Sequence, residues 1–166
     1  KAKRVLNNGM IRIVLIFNDS HPEIKYDIFM RLNTGSVKLK EQELRNCLYR
    51  GSLNELLKKL RNNKKFLGIL GLKDPHKRMD DVELILRYFA FSKNYNHNEK
   101  VMTHYKGKVK SFLNIYMHEN QNLPSTAIDE LEEKFNSTIE KVFAVFGNKA
   151  FRRISKSGEI DNAINR

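Results

Sequence analysis

Val82 to Phe91 reads V-E-L-I-L-R-Y-F-A-F, ten residues of which only Glu83 and Arg87 are charged. The run is apolar nearly all round at helical spacing, which marks a helix buried at the centre of a domain. Asp80 precedes it, with Glu83 three residues on, so a capped helix start is expected there. A chain of 166 residues can enclose such a helix in one domain with its own core.

The rest of the chain supplies helices to surround it. Ser20 and Glu23 have capping-box spacing with Pro22 in the first turn. Ile24, Ile28, Phe29 and Leu32 then form an apolar stripe. Asn33-Thr34-Gly35 ends that helix, and a second is expected from Glu41 to Arg50, closed by Gly51. Ser52 and Glu55 open a third. Gly68, Gly71 and Pro75 read as irregular chain as far as Lys77. Residues 99–119 read as an amphipathic helix weakened at Gly107, and Ile128 to Phe146 as a final helix stopped by Gly147. Met10 to Phe17, M-I-R-I-V-L-I-F, is the one segment with the length and β-branching of a strand. The expected class is mainly α, with a short N-terminal strand or hairpin remnant (α+β in an intact domain). A lone strand leaves backbone groups unpaired on both edges. Together with a first residue that is Lys and not Met, this makes the chain read as part of something longer. Residues 1–154 form the helical unit, and 155–166 a polar tail leading towards a further segment.

Composition is that of a globular protein, with 40% hydrophobic and 30% charged residues. No apolar run approaches the roughly 20 residues that cross a bilayer, so no membrane partner is expected. Cys47 is the single cysteine. A reducing cytoplasm fits, and spacing with Leu44 and Leu48 points to a core position in preference to a nucleophile. Five histidines lie in different elements without metal-ligand spacing, and no phosphate loop, dinucleotide fingerprint or catalytic constellation is present. Neither catalytic nor metal-ligating residues are read from this chain. It is expected neither to hydrolyse nucleotides nor to cut DNA by itself.

The net charge is +12, from 31 Lys and Arg against 19 Asp and Glu. Such an excess suits an anionic partner, DNA first. Lys outnumbers Arg 20 to 11 and Asn is abundant, a pattern that coding bias also produces, so charge alone leaves both readings open. If the charge is functional, Lys58, Lys59, Arg61, Lys64 and Lys65, clustered at a helix end and the following loop, are the candidate phosphate contacts.

Phe29 to Gly51, F-M-R-L-N-T-G-S-V-K-L-K-E-Q-E-L-R-N-C-L-Y-R-G, resembles, with one more residue between Gly35 and Leu39, the approximate signature F-x-R-L-N-x-G-x-x-L-x-x-x-E-L-R-N-A-x-Y-x-G of the N-terminal domain of GmrSD-type modification-dependent restriction endonucleases, a ParB/sulfiredoxin-like family long filed as a domain of unknown function. The match runs through Phe29, Arg31, Leu32, Asn33, Gly35, Leu39, Glu43, Leu44, Arg45, Asn46, Tyr49 and Gly51. Cys47 stands where the family has Ala, and Ser36 and Lys40 also depart. Arg78, Met79, Asp81, Glu83, Leu86, Arg87 and Phe89 to Phe91 resemble the family's R-M-x-D-x-E-x-x-L-R-F-x-A-F segment, and Val145 to Arg153 resemble a third landmark. The family's D-G-Q-Q-R segment, implicated in nucleotide binding and hydrolysis, does not occur in this sequence. The resemblance implies a helical recognition or regulatory module of a bacterial anti-phage restriction system, beside an upstream nucleotide site. A nucleoside triphosphate and a divalent metal would serve the intact protein, and an HNH-type nuclease domain or subunit would be a partner. It also implies that Arg31, Asn33, Arg45 and Asn46 lie near the ligand or nucleic acid. A structural polar network competes with that role: Asn33 stopping a helix, Glu43 pairing with Arg31, Asn46 tying a loop carbonyl. A non-catalytic basic nucleic-acid-binding module and a plain scaffold are the alternatives to the restriction reading.

Overall fold

The computed structural model describes residues 13, 15, 17, 20, 22–32 and 38–164. Among them the chain is mainly helical: α1 Pro22–Leu32, α2 Glu41–Leu48, α3 Ser52–Leu60, α4 Lys64–Leu70, α5 Asp80–Asn94, α6 Val109–Glu119 and α7 Ser125–Phe146. Two small antiparallel hairpins complete it, β1 Tyr95–Asn96 with β2 Val101–Met102, and β3 Arg152–Ile154 with β4 Ile160–Ile164. No helix among the described residues is long and apolar enough to cross a membrane.

The core gathers on α5. Val82, Ile85, Leu86, Phe89 and Ala90 are buried, and Leu53, Leu57 and Leu60 of α3 and Leu113, Tyr116 and Met117 of α6 join them. Phe135 of α7 closes the opposite side. Its ring meets those of Phe66, Tyr88 and Phe89 with centroids 5.5, 5.9 and 6.1 Å away, the tilted arrangement aromatic quadrupoles prefer. Burial pushes the Tyr116 hydroxyl up to about 12.

Several boundaries fall elsewhere than expected. Residues 64–70 are helical, not irregular: Asn63 Oδ1 accepts from the backbone N–H groups of Lys65 and Phe66, and Gly71 closes the helix in the left-handed conformation. The expected helix over 99–119 begins only at Val109. Lys100, His104 and Gly107 all take positive φ, which no helix tolerates, and the chain before them forms the first hairpin. The tail from 155 onward is not bare chain, since residues 160–164 pair back onto β3, with Arg152 opposite Ile164. The Asp80 and Ser52 caps are replaced by other uses. Asp80 takes the ammonium of Lys40 at 2.7 Å, and Ser52 Oγ donates to the Leu123 carbonyl at 2.8 Å. Cys47 is exposed, because α2 turns Leu44 and Arg45 inward and leaves Cys47 on its outer side.

α1 attaches differently from the expected stripe. Tyr26 is its buried residue, whereas Ile24, Phe29 and Leu32 are exposed. The strand expected over Met10 to Phe17 lies largely outside the described residues; Ile13, Leu15 and Phe17, which are described, are exposed.

Candidate functional site

The polar residues of α2 organise the junction of four helices. Glu41 and Glu43 sit in the first turn, where the helix dipole favours negative charge, and Lys40 N donates to Glu43 Oε2 at 2.6 Å. That bond supports the helix start at the position where Lys replaces the more usual cap. Burial alone would raise the Glu43 carboxyl. The Lys40 backbone N–H and the Arg78 guanidinium outweigh it and hold the group below the ordinary value.

One turn on, Arg45 is completely buried, 0% exposed. A buried guanidinium is tolerated only when its donors are matched. Here Nε donates to Asn114 Oδ1 at 2.8 Å, Nη1 to Gln42 Oε1 and Glu83 Oε2 at 3.1 Å each, and Nη2 to Glu41 Oε2 at 3.3 Å. The ring of Tyr26 lies 6.0 Å from the guanidinium carbon. Arg45 therefore joins α1, α2, α5 and α6. Burial, reinforced by the Glu41 carboxylate, pushes the Tyr26 hydroxyl far above its ordinary value.

The other three candidates do not converge on it. Asn46 Oδ1 accepts from Asn54 Nδ2 at 3.1 Å, tying α2 to α3. Arg31 is exposed in the last turn of α1, and Glu43 pairs with Arg78 at 2.9 Å, not with Arg31. Asn33 lies outside the described residues. Sequence reasoning missed the partners of Arg45, which are 38 and 69 residues away at Glu83 and Asn114. The one available signal was that Glu83 belongs to the second landmark.

Beside Arg45 an open cleft of about 360 Å³ is lined by Lys40, Glu41, Asp80, Glu83 and Arg87, among others. Its charges are mutually matched. Lys40 holds Asp80, and Glu83 takes Arg87 at 2.6 Å as well as Arg45. Arg87 Nε is buried with no hydrogen-bond partner among the described residues. The arrangement locks α2 onto α5.

The basic tip is matched too. Lys58 pairs with Glu55 at 2.8 Å, Lys59 with Glu132 at 2.7 Å, Arg61 with Asp81 at 3.0 Å, and Lys65 with Glu140. Arg61 also donates to the His76 carbonyl at 2.6 Å. Among the described residues, Lys64 alone of the five makes no ion pair, and no group of three or more His, Cys, Asp or Glu is placed to hold a metal ion. Compared with family models, with curated proteins and with solved structures, the chain gives no match.

Proposed function

We propose that this chain is the helical module of a GmrSD-type, anti-phage restriction protein, acting as a rigid recognition or regulatory wall beside a nucleotide-binding segment of the D-G-Q-Q-R type. One observation carries the reading. The first two of the three landmarks on which the resemblance rests, separated by some thirty residues of sequence, are joined directly: Glu43 to Arg78 and Arg45 to Glu83. Charged residues kept in two motifs because they bind each other across a junction would hold a neighbouring site in fixed geometry. In this role Arg45 acts through the shape it imposes and not by touching the nucleotide.

The test is phosphate release from nucleoside triphosphates by residues 1–166 and by a chain that carries a D-G-Q-Q-R segment together with them. Turnover is expected from the second alone. Turnover by residues 1–166 that survives repurification, or none by either chain, contradicts the reading.

A second reading, nucleic-acid binding, has its own support. From Lys100 to His118 the chain contains four lysines and two histidines and no acidic residue. A continuous basic segment of this kind suits a phosphate backbone.

A further inference from the structure

We infer that the cleft at the start of α6 is a binding site for a phosphate group, of the kind borne by a nucleic-acid backbone. The inference rests on the chemistry of the cleft and is independent of the family resemblance.

The cleft has a volume of about 500 Å³ and is lined by Asp27, Lys108, Lys110, Ser111 and Asn114, with Val109. It opens at the N-terminus of α6, whose first N–H groups have no intrahelical acceptors. No side chain caps them, and the first turn carries no acid. Instead Lys108 and Lys110 bring two ammonium groups to the positive end of the helix dipole. That combination is unfavourable in isolation and favourable around an anion. Lys110 is held in place, its Nζ 4.4 Å from the centroid of the Tyr26 ring and 3.7 Å from Asp27 Oδ1. Two ammonium groups thus face one carboxylate, which already leans on Lys110. Among the described residues Lys106 and Lys108 form no ion pair, and both are exposed, Lys108 at the cleft and Lys106 two residues before it in sequence.

The independent observation is Asn114. It is only 1% exposed, yet it lines the cleft. Its Oδ1 accepts from Arg45 Nε at 2.8 Å. Arginine has no acceptor atom, so only the oxygen of the amide can face it. The Asn114 amide nitrogen is therefore turned away from Arg45, and it has no hydrogen-bond partner among the described residues. The residue is buried, but this nitrogen borders the cleft, where its N–H donors are open to an acceptor that enters it. Helix N–H groups, the Ser111 hydroxyl, the Asn114 amide and two lysines are all donors, as a phosphate's oxygens require. The buried Arg45 then gains a second consequence, as the residue that positions the Asn114 donor.

The experiment is an amide chemical-shift titration of the full 166-residue chain with inorganic phosphate, followed by fluorescence anisotropy with a short labelled DNA duplex. Shifts should concentrate at 109–114. Asn114→Asp keeps an acceptor for Arg45 but replaces the amide donors with a negative charge, so it should hold the fold and weaken phosphate binding roughly tenfold or more. Lys110→Gln, a partly exposed position, gives the same readout should Asn114→Asp melt early. Weaker DNA binding by these variants assigns the phosphate to nucleic acid. Weaker phosphate binding with unchanged DNA binding assigns it to a free phosphate ligand. Two folded variants that bind both probes like the parent, or shifts that centre on 58–65, overturn the site.

Discussion

Two basic regions of this molecule carry similar charge in sequence and different charge in space. At the tip between α3 and α4, Lys58, Lys59, Arg61 and Lys65 each meet a carboxylate, and those of Glu132 and Glu140 come from α7, more than seventy residues away. Along 100–111 the only ion pair among the described residues is the long one between Lys110 and Asp27. A run of lysines becomes a positive surface only where the fold brings no acid to it. The tip pairs are mostly solvent-facing and each contributes little stability. They nonetheless cancel the field that a phosphate would feel.

The largest effects are expected at the fully buried Arg45 and Phe89. Arg45→Ala leaves Glu41, Glu83 and Asn114 without their shared donor and should cost about 3–5 kcal/mol in urea unfolding. It should also release the Asn114 amide and so weaken the cleft but not the tip. Phe89→Ala removes a buried ring packed between Tyr88 and Phe135, and should cost about 3–5 kcal/mol without favouring either region. A loss under about 1 kcal/mol for either would contradict the packing described.

Gly51→Ala comes next, at about 1–3 kcal/mol. Its φ of +154° is a conformation side chains rarely adopt, and a Cβ there would collide with the Gln121 carbonyl oxygen. Thermal melts of the alanine and parent chains check it. Acid should then act on α2 through Glu43. Its carboxyl in the fold lies below the unfolded value near 4.5, so the stability it contributes is complete above that pH and is lost as pH falls through the folded value. Glu43→Gln should flatten that part of a plot of urea midpoint against pH, and an unchanged acid limb would exclude the Lys40–Glu43–Arg78 arrangement. The smallest effect is Lys59→Ala, expected to cost under about 1 kcal/mol, because an exposed pair with Glu132 is weakly held.

Local signals in the sequence located the elements that bury a strong apolar face. α5 and α7 lie where periodicity put them, and the stop at Gly147 holds, whereas α2 ends at Leu48 with Tyr49 as its cap and Gly51 instead opens α3. α4 was hidden because Gly68 and Gly71 resemble loop residues, although Asn63 two positions before Lys65 was a readable cap. The helix expected over 99–119 shows the reverse error: a plausible apolar stripe crossed Gly107, and left-handed residues at 100, 104 and 107 broke it. The α2 motif was legible as a set of polar residues under constraint. Its partners were not, since nothing local to Arg45 points to Asn114. The phosphate cleft left one trace in the sequence, the absence of any acid between 100 and 118.

The contrast between the two regions is tested most directly by neutralising three lysines in each and measuring the salt dependence of DNA binding by anisotropy. Lys58→Gln, Lys59→Gln and Lys65→Gln remove the same charge as Lys106→Gln, Lys108→Gln and Lys110→Gln, so net charge cannot separate them. The tip variant should keep the parent's affinity and slope. The cleft variant should bind more weakly, with a slope shallower by about 0.9 log unit per log salt for each phosphate it no longer neutralises. An equal weakening in the two variants, or a weakening confined to the tip, would contradict the account.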